Sequence, residues 1–179
     1  TEPFWFRDEF REDSRGRLSG NSTSFTVASG ELTQNTGSRQ VAFPGKLSQP
    51  TIVYGFKTNV AGGNSRTVFS FGMPTIYTGN PLSGANSIGT RYSVYVRQES
   101  EKTIYLMKWV AGTSYSSDLS GWTSVNVDLD DNTEYQLTIT WTSANTFTVN
   151  IIKVSDSSVV TNQTVTDNNT SGIGVLNTG

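Results

Sequence analysis

Two neighbouring segments decide the fold: EYQLTITW, residues 134–141, and TFTVNIIKV, residues 146–154. Tyr135, Leu137, Ile139 and Trp141 share one parity in the first, and Phe147, Val149 and Ile151 share one parity in the second. Apolar residues at every second position mark a strand buried on one face, because successive side chains point to opposite sides of a sheet. Only Thr142 to Asn145 separate the two segments. The chain therefore predicts a long antiparallel hairpin, with the two apolar sets facing each other and the threonines on the wet side.

Working outward, the same period recurs in both directions. In TIVYGFKTNV, Ile52, Tyr54, Phe56, Thr58 and Val60 share a parity, and in RYSVYVRQ, Tyr92, Val94 and Val96 alternate with Ser93, Tyr95 and Arg97. TIYLMKWV is apolar on both parities except at Lys108, which marks a central strand or one whose second face is used for binding. WTSVNVDL alternates with Val125, Val127 and Leu129 inward and Trp122, Ser124, Asn126 and Asp128 outward. SFTVASGELTQ predicts a hairpin turning at Ala28-Ser29-Gly30, and RQVAFPG, TVFSFGM, SSVVTNQTV, the opening FWFRDEF and the closing GIGVL supply further short strands. PTIYTGNPLSGANSIGT has two prolines, three glycines and no period, and predicts an inserted surface loop. About a dozen strands at roughly 8–12-residue spacing, with no sustained helical period and no long repeat, predict an all-β, antiparallel jelly-roll β-sandwich of two sheets.

Composition agrees. The 179 residues suit a single domain, residues 1–179, with 25 Thr, 23 Ser and 14 Asn to cover polar sheet faces. Thirteen basic against fifteen acidic side chains leave a net charge of −2, which offers no field for phosphate backbones or anionic lipid. Neither nucleic acid nor membrane insertion is expected. With no His and no Cys, chemistry that needs an imidazole or a thiolate is excluded. No apolar run reaches the roughly 18 residues of a membrane span.

Several segments together resemble the concanavalin A-like lectin/glucanase superfamily, and more narrowly the secreted bacterial carbohydrate-binding domains found beside polysaccharide-degrading enzymes. They are the Asp8-Glu9-Phe10 opening, the hairpin from Phe25 to Leu32, the YGFKTN and YSVYVRQ strands, Glu134-Tyr135-Gln136-Leu137 with Trp141, and Gly172-Ile173-Gly174-Val175. The resemblance implies a lectin-like, secreted or cell-surface protein that recognises a polysaccharide or glycan. Domains of this kind usually continue with a segment carrying Phe-Asp-Asn, whereas this chain ends at Asn177-Thr178-Gly179. A final strand is thus expected to be absent, supplied elsewhere or cut off, and an open sheet edge would suit a protein partner. That is the basis of the alternative expectation, an adhesive or structural domain of an extracellular assembly.

Sugars are bound by aromatic platforms flanked by hydrogen-bonding side chains. Strand parity predicts such a face on five consecutive strands: Lys57 and Asn59, Ser70, Tyr95 and Arg97, Tyr105 and Trp109, and Trp122 and Asn126, with Tyr77 from the inserted loop walling one end. Placing Tyr105 and Trp109 outward makes Lys108 an inward misfit. Lys57 and Arg97 would suit an acidic glycan if they made the groove basic, but two cations on such a face are expected first of all to solvate it. Glu99 and Glu101 are spaced like a glycosidase carboxylate pair, but their polar neighbours predict a charged turn, so a non-catalytic protein is expected. Asp128, Asp130 and Asp131 likewise predict a turn. Trp5 and Trp141 are expected in the core or at a sheet edge. No cofactor is required, although relatives carry a structural calcium to which Asp8 and Glu9 could contribute. The threonine pairs of TITWT and TFTVN read as ordinary exposed positions rather than an ice-binding array, since no Thr-x-Thr repeat spans several strands.

Overall fold

The computed structural model describes residues 19–20, 25–28, 31–34, 41–42, 51–57, 65–72, 91–109, 119–143 and 145–169. Among them lie twelve strands and no helix: β1 (Ser19–Gly20), β2 (Phe25–Ala28), β3 (Glu31–Gln34), β4 (Val41–Ala42), β5 (Thr51–Lys57), β6 (Ser65–Phe71), β7 (Arg91–Gln98), β8 (Lys102–Trp109), β9 (Val125–Asn126), β10 (Glu134–Ser143), β11 (Thr146–Lys153) and β12 (Val159–Thr166). Two four-stranded sheets run in the orders β12-β11-β10-β5 and β6-β7-β8-β9, with every neighbouring pair antiparallel. β1 pairs with β4, and β2 with β3, where Ala28 lies opposite Glu31.

The central hairpin has the expected register. Trp141 faces Phe147, Ile139 faces Val149 and Leu137 faces Ile151. This row forms one core with Phe71, Tyr92, Val94, Val96, Ile104 and Leu106 of the other sheet, which gives the molecule its sandwich-like, all-β character. Phe71 sets its ring edge-on to Trp141 at 5.3 Å and to Phe147 at 5.4 Å, linking the sheets through the geometry aromatic quadrupoles favour. At the β5 and β6 margin, Phe69 lies 5.1 Å from Tyr54 and 5.2 Å from Phe56.

The opposite margin is closed by residues 119–129. The Leu119 N–H donates to the Leu106 carbonyl at 2.8 Å, while Gln163 of β12 pairs with Thr123 through both its amide oxygen and its amide nitrogen, each at 2.9 Å. A turn carries the chain between those anchors, with the Trp122 N–H on the Leu119 carbonyl and Gly121 at φ +91°, a conformation open to glycine at little cost. Gln98, fully buried, then fixes the following stretch. Its Nε2 donates to the Val127 carbonyl at 3.0 Å, and its Oε1 accepts from the Leu129 N–H at 2.9 Å.

Two parity expectations are corrected here. Trp122 is 7% exposed and belongs to the core. Alternation holds from Val125 onward, but the turn at Gly121 lies upstream of the strand and directs the indole inward. Lys57 does not share a sheet with Tyr95. β5 pairs with β10 from Thr51 opposite Thr140 to Lys57 opposite Glu134, because that register sets Ile52 beside Ile139 and Phe56 beside Tyr135. The five consecutive strands are therefore split, with β5 in one sheet and β6 to β9 in the other.

The inward position of Lys108 has a partner. Its Nζ lies 2.6 Å from Asp167 Oδ2, which also accepts from the Tyr92 hydroxyl at 2.7 Å. Asp167 Oδ1 accepts from the Asn169 N–H, and the Asp167 backbone is tied to Asn145 in both directions. A cation on a core-facing parity is thus compensated by an acid that the end of β12 brings across from the other sheet. The predicted strands at residues 4–10 and 172–176, the inserted loop, and the question of a final strand lie outside the described residues.

Candidate functional site

The face of β6 to β9 turned away from the core has two halves. β7 and β8 set Arg91 opposite Trp109, Ser93 opposite Met107, Tyr95 opposite Tyr105 and Arg97 opposite Thr103. The first half is closed. Ser93 and Met107 are fully buried, Arg91 is 4% exposed, and the Arg91 guanidinium sits 4.8 Å from the centre of the Trp109 ring. Burial lowers the Arg91 pKa to about 10, which leaves it cationic at neutral pH. Ser70 Oγ and Ser93 Oγ are 2.9 Å apart and tie β6 to β7.

The second half is open. Tyr95 and Tyr105 are half-buried, with ring centroids 6.1 Å apart and tilted by 39°, so they form a shelf rather than a stack. Asn126 on β9 is exposed and accepts from the Thr103 hydroxyl at 3.0 Å. Arg97 Nε donates to Glu99 at 2.8 Å, and its NH1 pairs with Glu101, which also accepts from the Tyr105 hydroxyl at 3.3 Å. The hydrogen bond to Glu99, opposed by desolvation and aided by the charge of Glu101, holds the Arg97 pKa above its ordinary value. Lys102 is paired with Asp128.

The two glutamates are thus a clamp on Arg97 in the bend between β7 and β8. Among the described side chains there, the cations Arg97 and Lys102 are each engaged by carboxylates, Arg97 by Glu99 and Glu101 and Lys102 by Asp128. Lys57, the other expected cation, is on the opposite sheet. Of the predicted set, the structure brings together Tyr95, Tyr105, Arg97, Trp109 and Asn126, and removes Trp122 and Lys57. Asn59 and Tyr77 lie outside the described residues, as do Asp8 and Glu9, and no cluster of three or more acids able to hold a metal occurs among the described residues. Sequence reasoning passed over Arg91, although it is two positions upstream of Ser93 on the same parity. Glu101 does lie in the charged turn the sequence predicts, but its contacts with Arg97 and Tyr105 are not reported by alternation.

The far side of the other sheet carries a second array. Thr138-x-Thr140-x-Thr142 on β10, Thr146-x-Thr148 on β11 and Thr164-x-Thr166 on β12 stand on three adjacent strands, and Thr51 on β5 joins them. This corrects the expectation that no Thr-x-Thr repeat spans several strands. The repeat is built by register between segments far apart in the chain. Comparison of the chain with protein-family models, with curated proteins and with solved structures finds no match.

Proposed function

We propose that this protein is a non-catalytic, secreted or cell-surface carbohydrate-binding domain with a jelly-roll sandwich of the concanavalin A-like kind, and that a neutral glycan binds on the open half of the β7 to β9 face. One observation carries the reading: Tyr95 and Tyr105, in register on adjacent strands, present a tilted aromatic shelf away from the core, with Asn126 beside it. Aromatic faces take the C–H surface of a sugar ring, and Asn offers both a donor and an acceptor to its hydroxyls. Arg97 and Tyr105 are oriented by Glu101, so the polar fringe is held before ligand arrives. On the closed side the Ser93 and Met107 row separates the shelf from Trp109.

Affinity electrophoresis against laminarin, xylan and galactomannan tests this. Retention by at least one neutral polysaccharide is expected, with a loss of about tenfold in affinity in Tyr105→Ala, equivalent to about 1.4 kcal/mol. Equal mobility with and without every polysaccharide would refute the reading. An adhesive or structural role is the second reading, favoured by Val53, which is 53% exposed on β5, an outer strand among the described residues.

A further inference from the structure

The outer face of the β12-β11-β10-β5 sheet has a composition that a solvated surface does not require. Thr164, Thr148, Thr140 and Thr51 form one row, one residue on each of the four strands. Thr166, Thr146 and Ser143 form a shorter row beside it, and Asn162, Asn150, Thr138 and the exposed Val53 a row on the other side. No charged or aromatic side chain enters these rows, and the first charges on this face are Lys57 and Glu134, opposite each other at its end. Solubility alone is met by Lys and Glu. A sugar platform or a protein hot spot would carry aromatic rings or Arg.

The hydroxyls are also placed, not merely present. Thr148 and Thr164 have their Oγ1 atoms 2.8 Å apart, Thr146 and Thr166 2.9 Å, and Thr51 and Thr140 3.5 Å. The two shorter distances are those of an O–H···O hydrogen bond, the bond that joins water to water. Each hydroxyl has one donor and two acceptor sites, so a paired threonine keeps bonding capacity directed at solvent. Threonine is stiff about χ1, which lowers the entropic cost of holding a pattern. Each threonine also carries a methyl group on the same β-carbon as its hydroxyl. The pattern repeats at about 6.8 Å along a strand and about 4.8 Å between strands. Sheet twist rotates neighbouring strands by about 20–25°, so the best-matched patch is the β11 and β12 pair, where the two short contacts occur.

We propose that this face is an ice-binding surface, whose ligand is the crystalline lattice of water. The hydroxyl pairs take the places of hydrogen-bonded water oxygens, the methyl groups exclude disordered water between them, and the lack of charge removes the strongest attachment to a liquid hydration shell. The site is separate from the Tyr95 and Tyr105 shelf, which belongs to the other sheet.

Partition into a slowly grown ice hemisphere, with a non-binding protein of similar size as control, tests the proposal on the full chain. The protein is expected to be incorporated while the control is excluded. Thr148→Lys and Thr164→Lys are expected to lose incorporation, and Tyr105→Ala to keep it. Thr164 is exposed on an outer strand, so its variant reports on the face even if the half-buried Thr148→Lys fails to fold, which circular dichroism shows. Exclusion of the unaltered protein to the level of the control, or full incorporation of a folded Thr164→Lys variant, would overturn the proposal. So would light scattering that shows a dimer dissociated by Thr164→Lys, since that would assign the face to a second copy of the chain.

Discussion

Asp167 concentrates several of the molecule's polar demands in one carboxyl. Burial works against its charge, but the hydrogen bonds from Lys108, the Asn169 N–H and the Tyr92 hydroxyl, with the charge of Lys108, outweigh it and hold the carboxyl below its ordinary value. Burial chiefly, and then the bond to Asp167, push the Tyr92 phenol far above its own. A carboxyl depressed in the folded state stabilises at every pH above its unfolded value and loses that contribution as pH falls through the folded value. The loss therefore lies below about pH 4. Asp167→Asn leaves the Lys108 ammonium enclosed without its counter-charge, and such a change costs about 3 kcal/mol at neutral pH. Urea midpoints measured between pH 3 and pH 7 should show the variant less stable at pH 7 and the gap narrowing toward pH 3. A gap independent of pH would show that the pair contributes nothing electrostatic.

At the scale of elements, alternation was a good guide wherever a strand was long. The buried face of the β10 and β11 hairpin was legible, because seven apolar side chains on one parity leave a single register that buries them all. The pairing nevertheless runs on through an irregularity at Thr142 to Ser143 opposite Thr146, which shortens the expected turn. Alternation failed at Trp122. Two residues of β9 cannot enforce a parity on a tryptophan three positions upstream, and Gly121 turns the chain before the strand begins. The closing segment is instead specified by side chains from distant strands, Gln98 on β7 and Gln163 on β12, and no local pattern encodes a partner about 30 or 40 residues away. Gln98→Met keeps the volume but strips hydrogen bonds from the Leu129 N–H and the Val127 carbonyl. The expected cost is about 2–3 kcal/mol, read as a lower urea midpoint with an unchanged slope. Gly121→Ala meets only ordinary contact with Val165 but is strained at φ +91°, so its cost is expected to be smaller, about 1 kcal/mol. The reverse ranking would mean that the turn, rather than the buried amide, holds this margin closed.

At the scale of the whole molecule, pairing order mattered more than any single strand. Splitting β5 from β6 moved Lys57 away from the proposed glycan shelf, and the same pairing brought Thr51 into line with threonines of β10, β11 and β12. Neither result could be seen in one segment, since both depend on which strands become neighbours. The consequence for the glycan site is electrostatic. With Lys57 elsewhere, Arg97 is the one of the two expected cations that stays on the face of the tyrosines, and two glutamates already engage it. Contacts between exposed charges weaken as salt shortens the Debye length from about 14 Å at 50 mM to about 4 Å at 500 mM. Aromatic stacking on neutral sugar does not weaken in that way. Retention on a neutral polysaccharide is therefore expected to change by less than about twofold across that salt range. A steep fall, together with preference for a carboxylated or sulfated polysaccharide, would show that Arg97 leaves its glutamates to grip the ligand, and that the charge on this face is set by binding rather than by the fold.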